Sequence, residues 1–268
     1  MRVWTFANQK GGVGKTTSSI ALAGLAADEG KRVVMVDLDP HGSLTSYFGL
    51  DPDATEAGVL TLFHERKTMD KALVSGAIVA TQFPNLNVMP ASTALATLER
   101  QVIAQDGMGL VISRALQLIA DDYDLVVIDC PPQLGVLMIN ALAACNLLIM
   151  PVQTEFLALK GLERMQHTLV MLNRSRKQAL QTVVLPTMFD RRTQASVSSL
   201  RTLRHTYGAD VWPGKIPIDT KFRDASKAGV PPHRHAPQSR GVEAYSSLYQ
   251  WLQKAQVVSN TAANVSQR

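Results

Sequence analysis

Three glycines, two lysines and two threonines crowd into residues 10–17, Lys-Gly-Gly-Val-Gly-Lys-Thr-Thr. Each of these types has a use when the ligand is a phosphate. Glycines at 11, 12 and 14 let successive backbone N–H groups turn inward to surround phosphate oxygens. The Ala- and Leu-rich stretch that follows, 15–29, has the length and pattern of a helix, whose N-terminus adds partial positive charge at the same place. In such a loop Lys15 reaches the β- and γ-phosphates of ATP and the Thr16 hydroxyl ligates Mg²⁺. Gly11, Gly12, Val13, Gly14 and Thr17 complete the phosphate-facing run. The usual pattern begins with glycine where this chain has Gln9, and here Lys10 stands in front of the glycine pair.

Two carboxylates follow apolar runs that read as strands. Arg32-Val-Val-Met-Val-Asp37 leads into Leu38-Asp39-Pro40-His41-Gly42-Ser43, and Asp122-Tyr-Asp-Leu-Val-Val-Ile-Asp129 leads into Cys130-Pro131-Pro132. Ligands of α/β sheets bind just beyond the carboxyl ends of the strands. Mg²⁺ keeps several waters and takes one or two carboxylates beside phosphate oxygens, so Asp129 suits it as the companion of Thr16. Asp37 is expected to support its loop from beneath. His41 receives no catalytic role.

Short apolar runs alternate with amphipathic segments, the pattern of a mostly parallel twisted sheet with helices on both faces, an α/β fold of the P-loop NTPase kind. Strands are expected near 2–8, 32–38, 86–89, 123–129, 146–152, 182–187 and 211–216. Helices are expected near 15–29, 92–103, 107–121, 135–144, 156–173, 194–207 and 239–256. Residues 228–239, with Pro231, Pro232 and Pro237, read as a loop. The organisation is one domain over 1–257 and a flexible polar tail over 258–268.

With these pieces in place, the chain resembles the deviant Walker A group, the ParA/MinD family of ATPases, over most of its length. The resemblance rests on Lys10–Thr17, on Asp37–Gly42, and on Asp129–Pro132 with Gly135. Further along, it rests on Pro151–Gly161, Pro186–Thr193, Ile216-Pro217, Asp224-Ala225 and Gly241–Tyr245. It implies an ATP-bound homodimer in which Lys10 crosses to the partner's nucleotide. It also implies that Asp39 orients the attacking water and helps to hold Mg²⁺, and that Met188, Pro217 and Asp219 surround the adenine. ParA-type members bind DNA non-specifically and are switched by a ParB-like or cluster-associated activating protein. The matching cations are Arg191, Arg192, Arg201, Arg204, Lys215, Lys221 and Arg223, although Ile218-Asp219 stands where many relatives have Arg-Asn. Loop stretches such as Asp39–Gly49 and Ser92–Arg100 resemble the chromosomal homologues that segregate chemotaxis protein arrays more than they resemble plasmid partition proteins.

Charge fits either a polyanion partner or cations scattered over several solvated helices. Residues 160–240 hold 15 Lys and Arg against 5 Asp and Glu, while the whole chain carries only +5. No run reaches the about 18 apolar residues of a membrane span. The N-terminus carries no signal-peptide pattern, so a cytoplasmic, nucleoid-associated protein is expected. The stripe Val242, Tyr245, Leu248, Tyr249 and Leu252 has no basic interfacial face and reads as core, which disfavours a MinD-like membrane helix. Cys130 and Cys145 are too few for a disulfide scaffold or a cluster carrier. A metabolic enzyme on the same loop would need a second acid–base set, and none is visible.

Overall fold

The computed structural model describes residues 1–101, 107–174, 176 and 178–265, with side chains through Lys254. Its strands are β1 (Arg2–Phe6), β2 (Val33–Asp37), β3 (Val79–Ala80), β4 (Leu86–Met89), β5 (Leu125–Asp129), β6 (Leu147–Gln153) and β7 (Gln181–Thr187). The helices of the first half are α1 (Lys15–Asp28), α2 (Ser43–Tyr47), α3 (Val59–His64), α4 (Lys71–Gly76), α5 (Leu95–Gln101) and α6 (Val111–Leu118). Those of the second are α7 (Val136–Ala144), α8 (Phe156–Asn173), α9 (Gln194–Tyr207), α10 (Lys221–Ala228), α11 (Pro232–His235) and α12 (Arg240–Val265).

Because side chains alternate across a strand, a strand apolar at every position must be covered on both faces. Val34, Val36, Val126, Ile128, Leu148 and Met150 pack into one core with α3, α6, α7 and α8. Their neighbours Val33, Met35, Leu125, Val127, Leu147 and Ile149 pack into a second core with α1 and α12. The sheet order is β3-β4-β2-β5-β1-β6-β7, parallel throughout except for the short edge strand β3 against β4. Three adjacent strands, β1, β5 and β2, therefore send their following loops out of one edge. Phe6, Asp129 and Asp37 occupy a single row across them.

The stripe Val242, Tyr245, Leu248, Tyr249 and Leu252 is buried against the sheet, as its spacing implies. Elsewhere the expected elements need correction. Instead of a strand over 211–216, a 3-10 turn (Gly208–Asp210) leads into isolated bridges from Val211 to Val184 and from Pro217 to Phe189. Pro213 lacks the N–H a ladder needs, and Trp212 folds its ring over Gly214. The segment read as a loop over 228–239 contains α11, started by Pro232 at its first position. The helix expected at 107–121 opens as a 3-10 turn, and α5 starts only at Leu95; residues 102 and 103 of its expected span lie outside the described residues. Where a flexible tail was expected from 258, α12 continues to Val265, since no glycine or proline interrupts 242–265.

Candidate functional site

The glycine-rich loop turns because Gly12 and Gly14 adopt positive φ, 73° and 89°, where a Cβ is disfavoured. Its start is tied to the strand beyond it: Asn8 donates to the Pro151 carbonyl at 2.7 Å and accepts the Lys10 N–H at 3.1 Å. Val13 is fully buried, and its carbonyl accepts the Thr187 hydroxyl at 2.9 Å. Nothing crowds the open sides of Gly11 and Gly12. Lys15 is 7% exposed, with its ammonium 3.3 Å from the Lys10 carbonyl. Burying a charge is costly without a counter-charge, so this ammonium suits an anion held in the loop.

At the end of β5, Thr16 donates its hydroxyl to Asp129 Oδ2 at 2.5 Å, while Asp129 Oδ1 is buried without a hydrogen-bond partner. Burial first, and then the charge of Asp37 opposite, push the Asp129 carboxyl well above the usual carboxylate range. A cation beside this orphaned oxygen would reverse that push, and a hydroxyl with a carboxylate is a hard oxygen pair of the kind Mg²⁺ accepts. The residues present fit the ion.

Asp37 has the supporting place anticipated for it. Fully buried, it accepts from the Thr45 amide and hydroxyl at 2.8 and 2.7 Å and from the Asp39 amide at 3.1 Å. Burial raises its carboxyl to about 6 against the pull of those bonds. Asp39 stands above it, its side chain 14% exposed, with Oδ1 taking both the His41 amide at 3.0 Å and the His41 ring nitrogen at 2.8 Å.

Met188 and Pro217 meet Gly14 and Thr17 around a cavity of about 600 Å³ that Tyr245 also lines. Met188 holds a positive φ of 51°, which a non-glycine residue adopts only when its surroundings impose it. Hydrogen bonds from Phe189 to Ile216 and from Ile218 to Phe189 hold that backbone. Asp219 borders the cavity too, yet its oxygens accept the Lys221 and Gly241 amides at 3.0 Å, fastening α10 to α12.

Lys10 does not point at its own phosphate loop. Its ammonium pairs with Glu155, which precedes α8, and the next two residues, Phe156 and Leu157, are 68% and 67% exposed. Gly161 lets α8 come this close, since a Cβ there would lie 3.2 Å from Lys10 Cβ. Glu155 was not among the residues anticipated from sequence; it lies 145 positions away and only the fold brings it to Lys10.

The seven anticipated cations separate. Arg191, Arg192 and Lys215 line a groove of about 360 Å³ with Arg240, and this groove shares Pro217 with the larger cavity. Arg192 is paired with Asp190 and Lys215 lies over the Phe189 ring. Arg201 and Arg204 are on α9, Arg204 donating to the Pro213 carbonyl. Lys221 is paired with Asp224, and Arg223 lines the nucleotide-sized cavity rather than the groove. Arg240 escaped the sequence reading, although a cation opening the last helix was a signal available there.

Residues 1–182 match a family described as AAA domain. The chain is 36% identical to the sporulation initiation inhibitor protein Soj of Bacillus subtilis (strain 168), over 92% of this chain and 96% of that one. The chain belongs to the ParA/Soj family of ATPases. Within that family it is 32% identical to the chromosome partitioning protein ParA of Myxococcus xanthus, across 94% of this chain and 88% of that protein. A ParA/Soj chain with this sheet also superposes on solved enzymes. One is the cobyrinic acid a,c-diamide synthase of Mycobacterium smegmatis, determined with a bound ATP analog and magnesium. It matches at a TM-score of 0.81 and 32% identity, with 95% of each chain covered.

Proposed function

We propose that this chain is a MgATP-dependent switch that dimerises on ATP, hydrolyses it slowly to ADP and phosphate, and positions intracellular cargo over DNA. The observation that carries the reading is the division of labour between its two loop lysines. Lys15 is buried at the phosphate cradle, whereas Lys10 sits beside exposed Phe156 and Leu157, paired with Glu155. A cation placed on an apolar face, and not over its own cradle, suits a residue used by a second copy.

In this reading the loop amides and Lys15 bind the phosphates, and Thr16 with Asp129 holds Mg²⁺. Met188 and Pro217 flank the base, with Asp219 at the cavity rim. Asp39 orients the attacking water. Bound Mg²⁺ supplies positive charge against the β- and γ-phosphate oxygens. Lys10 adds charge from the partner during transfer, as an arginine finger does. The test is Lys10→Ala: it should bind ATP as a monomer yet neither dimerise nor hydrolyse. Normal ATP-dependent dimers of that variant by light scattering would exclude the crossing role. Wild-type turnover of ATP with no small substrate present separates this switch from a ligase such as the synthase it resembles. An absolute requirement for a second substrate would favour the ligase.

The groove lined by Arg191, Arg192, Lys215 and Arg240 supports the DNA part of the proposal. Contacts of this kind go to phosphates and read no sequence. ATP-loaded protein should therefore bind unrelated duplexes alike. Each lost phosphate contact should make the salt dependence shallower by about 0.9 in log–log slope. Arg191→Glu with Lys215→Glu should weaken every sequence equally. Binding unchanged in that double variant would move the interface elsewhere, to Arg201 and Arg204 on α9 or to Lys221 and Arg223 on α10. The cargo in this reading is a chromosome or plasmid partition complex, or a chemotaxis protein cluster, with a ParB-like or cluster-associated protein as activator.

A further inference from the structure

Glu99, on α5, belongs to none of the groups above. It is partly buried, and its Oε1 is buried with no hydrogen-bond partner. An unpaired carboxylate oxygen inside a protein is costly, so its presence needs a reason. Helix α7 supplies the first part of one. Its N-cap is Gly135, which offers no side chain, and the Leu137 amide in its first turn favours the ionised form of Glu99 instead. A carboxylate delivered from another helix thus stands at the positive end of the α7 dipole.

Gly135 supplies the second part. Its backbone, at φ −136° and ψ −167°, is extended and open to any residue, so conformation does not require glycine there. What fills the missing side chain's place is Glu99: a Cβ at 135 would lie 1.9 Å from Glu99 Oε1 and 2.7 Å from its carboxyl carbon, so any side chain there displaces the carboxylate. Gly135 ends the loop that begins at Asp129. The charge of Asp39 also reaches Glu99, adding to the upward push of burial. Glu99 therefore stands against the end of the loop after β5, within electrostatic reach of Asp39 on the loop after β2.

We propose that Glu99 is a positioning residue for ATP hydrolysis, filling the space left by Gly135 at the start of α7 so that the loop after β5 is held at a set distance from Asp39. The proposal rests on the reading of Asp39 as the residue that orients water. It is tested on the full chain by measuring single-turnover hydrolysis at saturating ATP together with ATP affinity, with Asp39→Ala in parallel. Glu99→Ala should slow hydrolysis by about ten- to a hundredfold, the cost of misplacing a reacting group by up to an ångström, and leave ATP affinity unchanged. Glu99→Gln, which keeps the shape and one acceptor for the Leu137 amide, should restore most of the rate. Gly135→Ala should reproduce the loss by displacing the carboxylate, and should add nothing in the Glu99→Ala background. Hydrolysis at the wild-type rate in Glu99→Ala, with Asp39→Ala inactive, overturns this proposal alone. Wild-type hydrolysis in Asp39→Ala overturns the reading beneath it. Loss of rate and affinity together without rescue by glutamine, or additive losses in the double variant, would make Glu99 a structural residue and overturn the positioning role. The Gly135→Ala and Glu99→Gln arms decide the matter if Glu99→Ala fails to fold.

Discussion

Lys15→Ala should abolish ATP binding while leaving the fold intact. The lysine opens α1 directly after Gly14, and its ammonium is held 3.3 Å from the Lys10 carbonyl inside a residue that is only 7% exposed. Charge-assisted hydrogen bonds contribute about 1.5–3 kcal/mol each. Losing two, one to each of the β- and γ-phosphates, costs about 3–6 kcal/mol, or roughly a hundredfold to ten-thousandfold in affinity. Stability should change little. Without nucleotide the ammonium keeps the Lys10 carbonyl and an attraction to the buried Asp129, and losing these offsets the desolvation cost that its removal relieves. Calorimetry should find no ATP binding, and thermal unfolding without nucleotide should be little changed. The nucleotide-induced rise in melting temperature should vanish, because ligand that does not bind N cannot stabilise it. Wild-type affinity in this variant would remove residues 10–17 as the phosphate site. A large fall in melting temperature without nucleotide would make Lys15 a structural residue.

The parts of this site that were legible before the fold was known are those whose chemistry constrains neighbours in sequence. A phosphate cradle needs its glycines, lysine and threonine within one turn of chain, so Gly11–Thr17 announces itself. A carboxylate at the end of an apolar strand is local too, and the row Phe6, Asp129, Asp37 follows once those strands are parallel neighbours. Pairings over long separations left no such trace. Glu155 meets Lys10 only because Gly161 lets α8 press against the loop. Glu99 reaches the start of α7 through a gap that Gly135 leaves, and nothing in the spacing of 99 and 135 points to it. The short helices α2, α3 and α4 carry too few residues for a periodic signal. They are set by tertiary contacts, such as the Val59 amide on the Pro90 carbonyl and the Thr45 hydroxyl on Asp37. The expected strand over 211–216 failed for a related reason: Val211, Trp212 and Ile216 are buried as strand residues would be, but burial alone does not make a ladder.

Asp39→Ala should separate binding from hydrolysis. Part of the loop backbone survives the change, because the amide of residue 39 donates to Asp37 and would still do so from alanine, while the His41 amide loses its Oδ1 acceptor. The side chain's bonds go to His41, whose own side chain is 77% exposed and can exchange that contact for water. Both bonds use Oδ1. Thr16, Lys15 and the loop amides remain, so affinity for MgATP should stay within about tenfold, or 1.4 kcal/mol. On the proposed reading what is lost is the group that orients the attacking water, and positioning is most of what a protein contributes to phosphoryl transfer. Hydrolysis should therefore fall by about a hundredfold or more, and the protein should accumulate as an ATP-bound dimer. Single-turnover hydrolysis and ATP-dependent dimerisation, measured on one preparation, decide it. Hydrolysis at the wild-type rate would clear Asp39 of the role. Loss of ATP binding would instead make it a metal-holding or structural residue, and would transfer the search for the water-orienting group to the loop that follows Asp129.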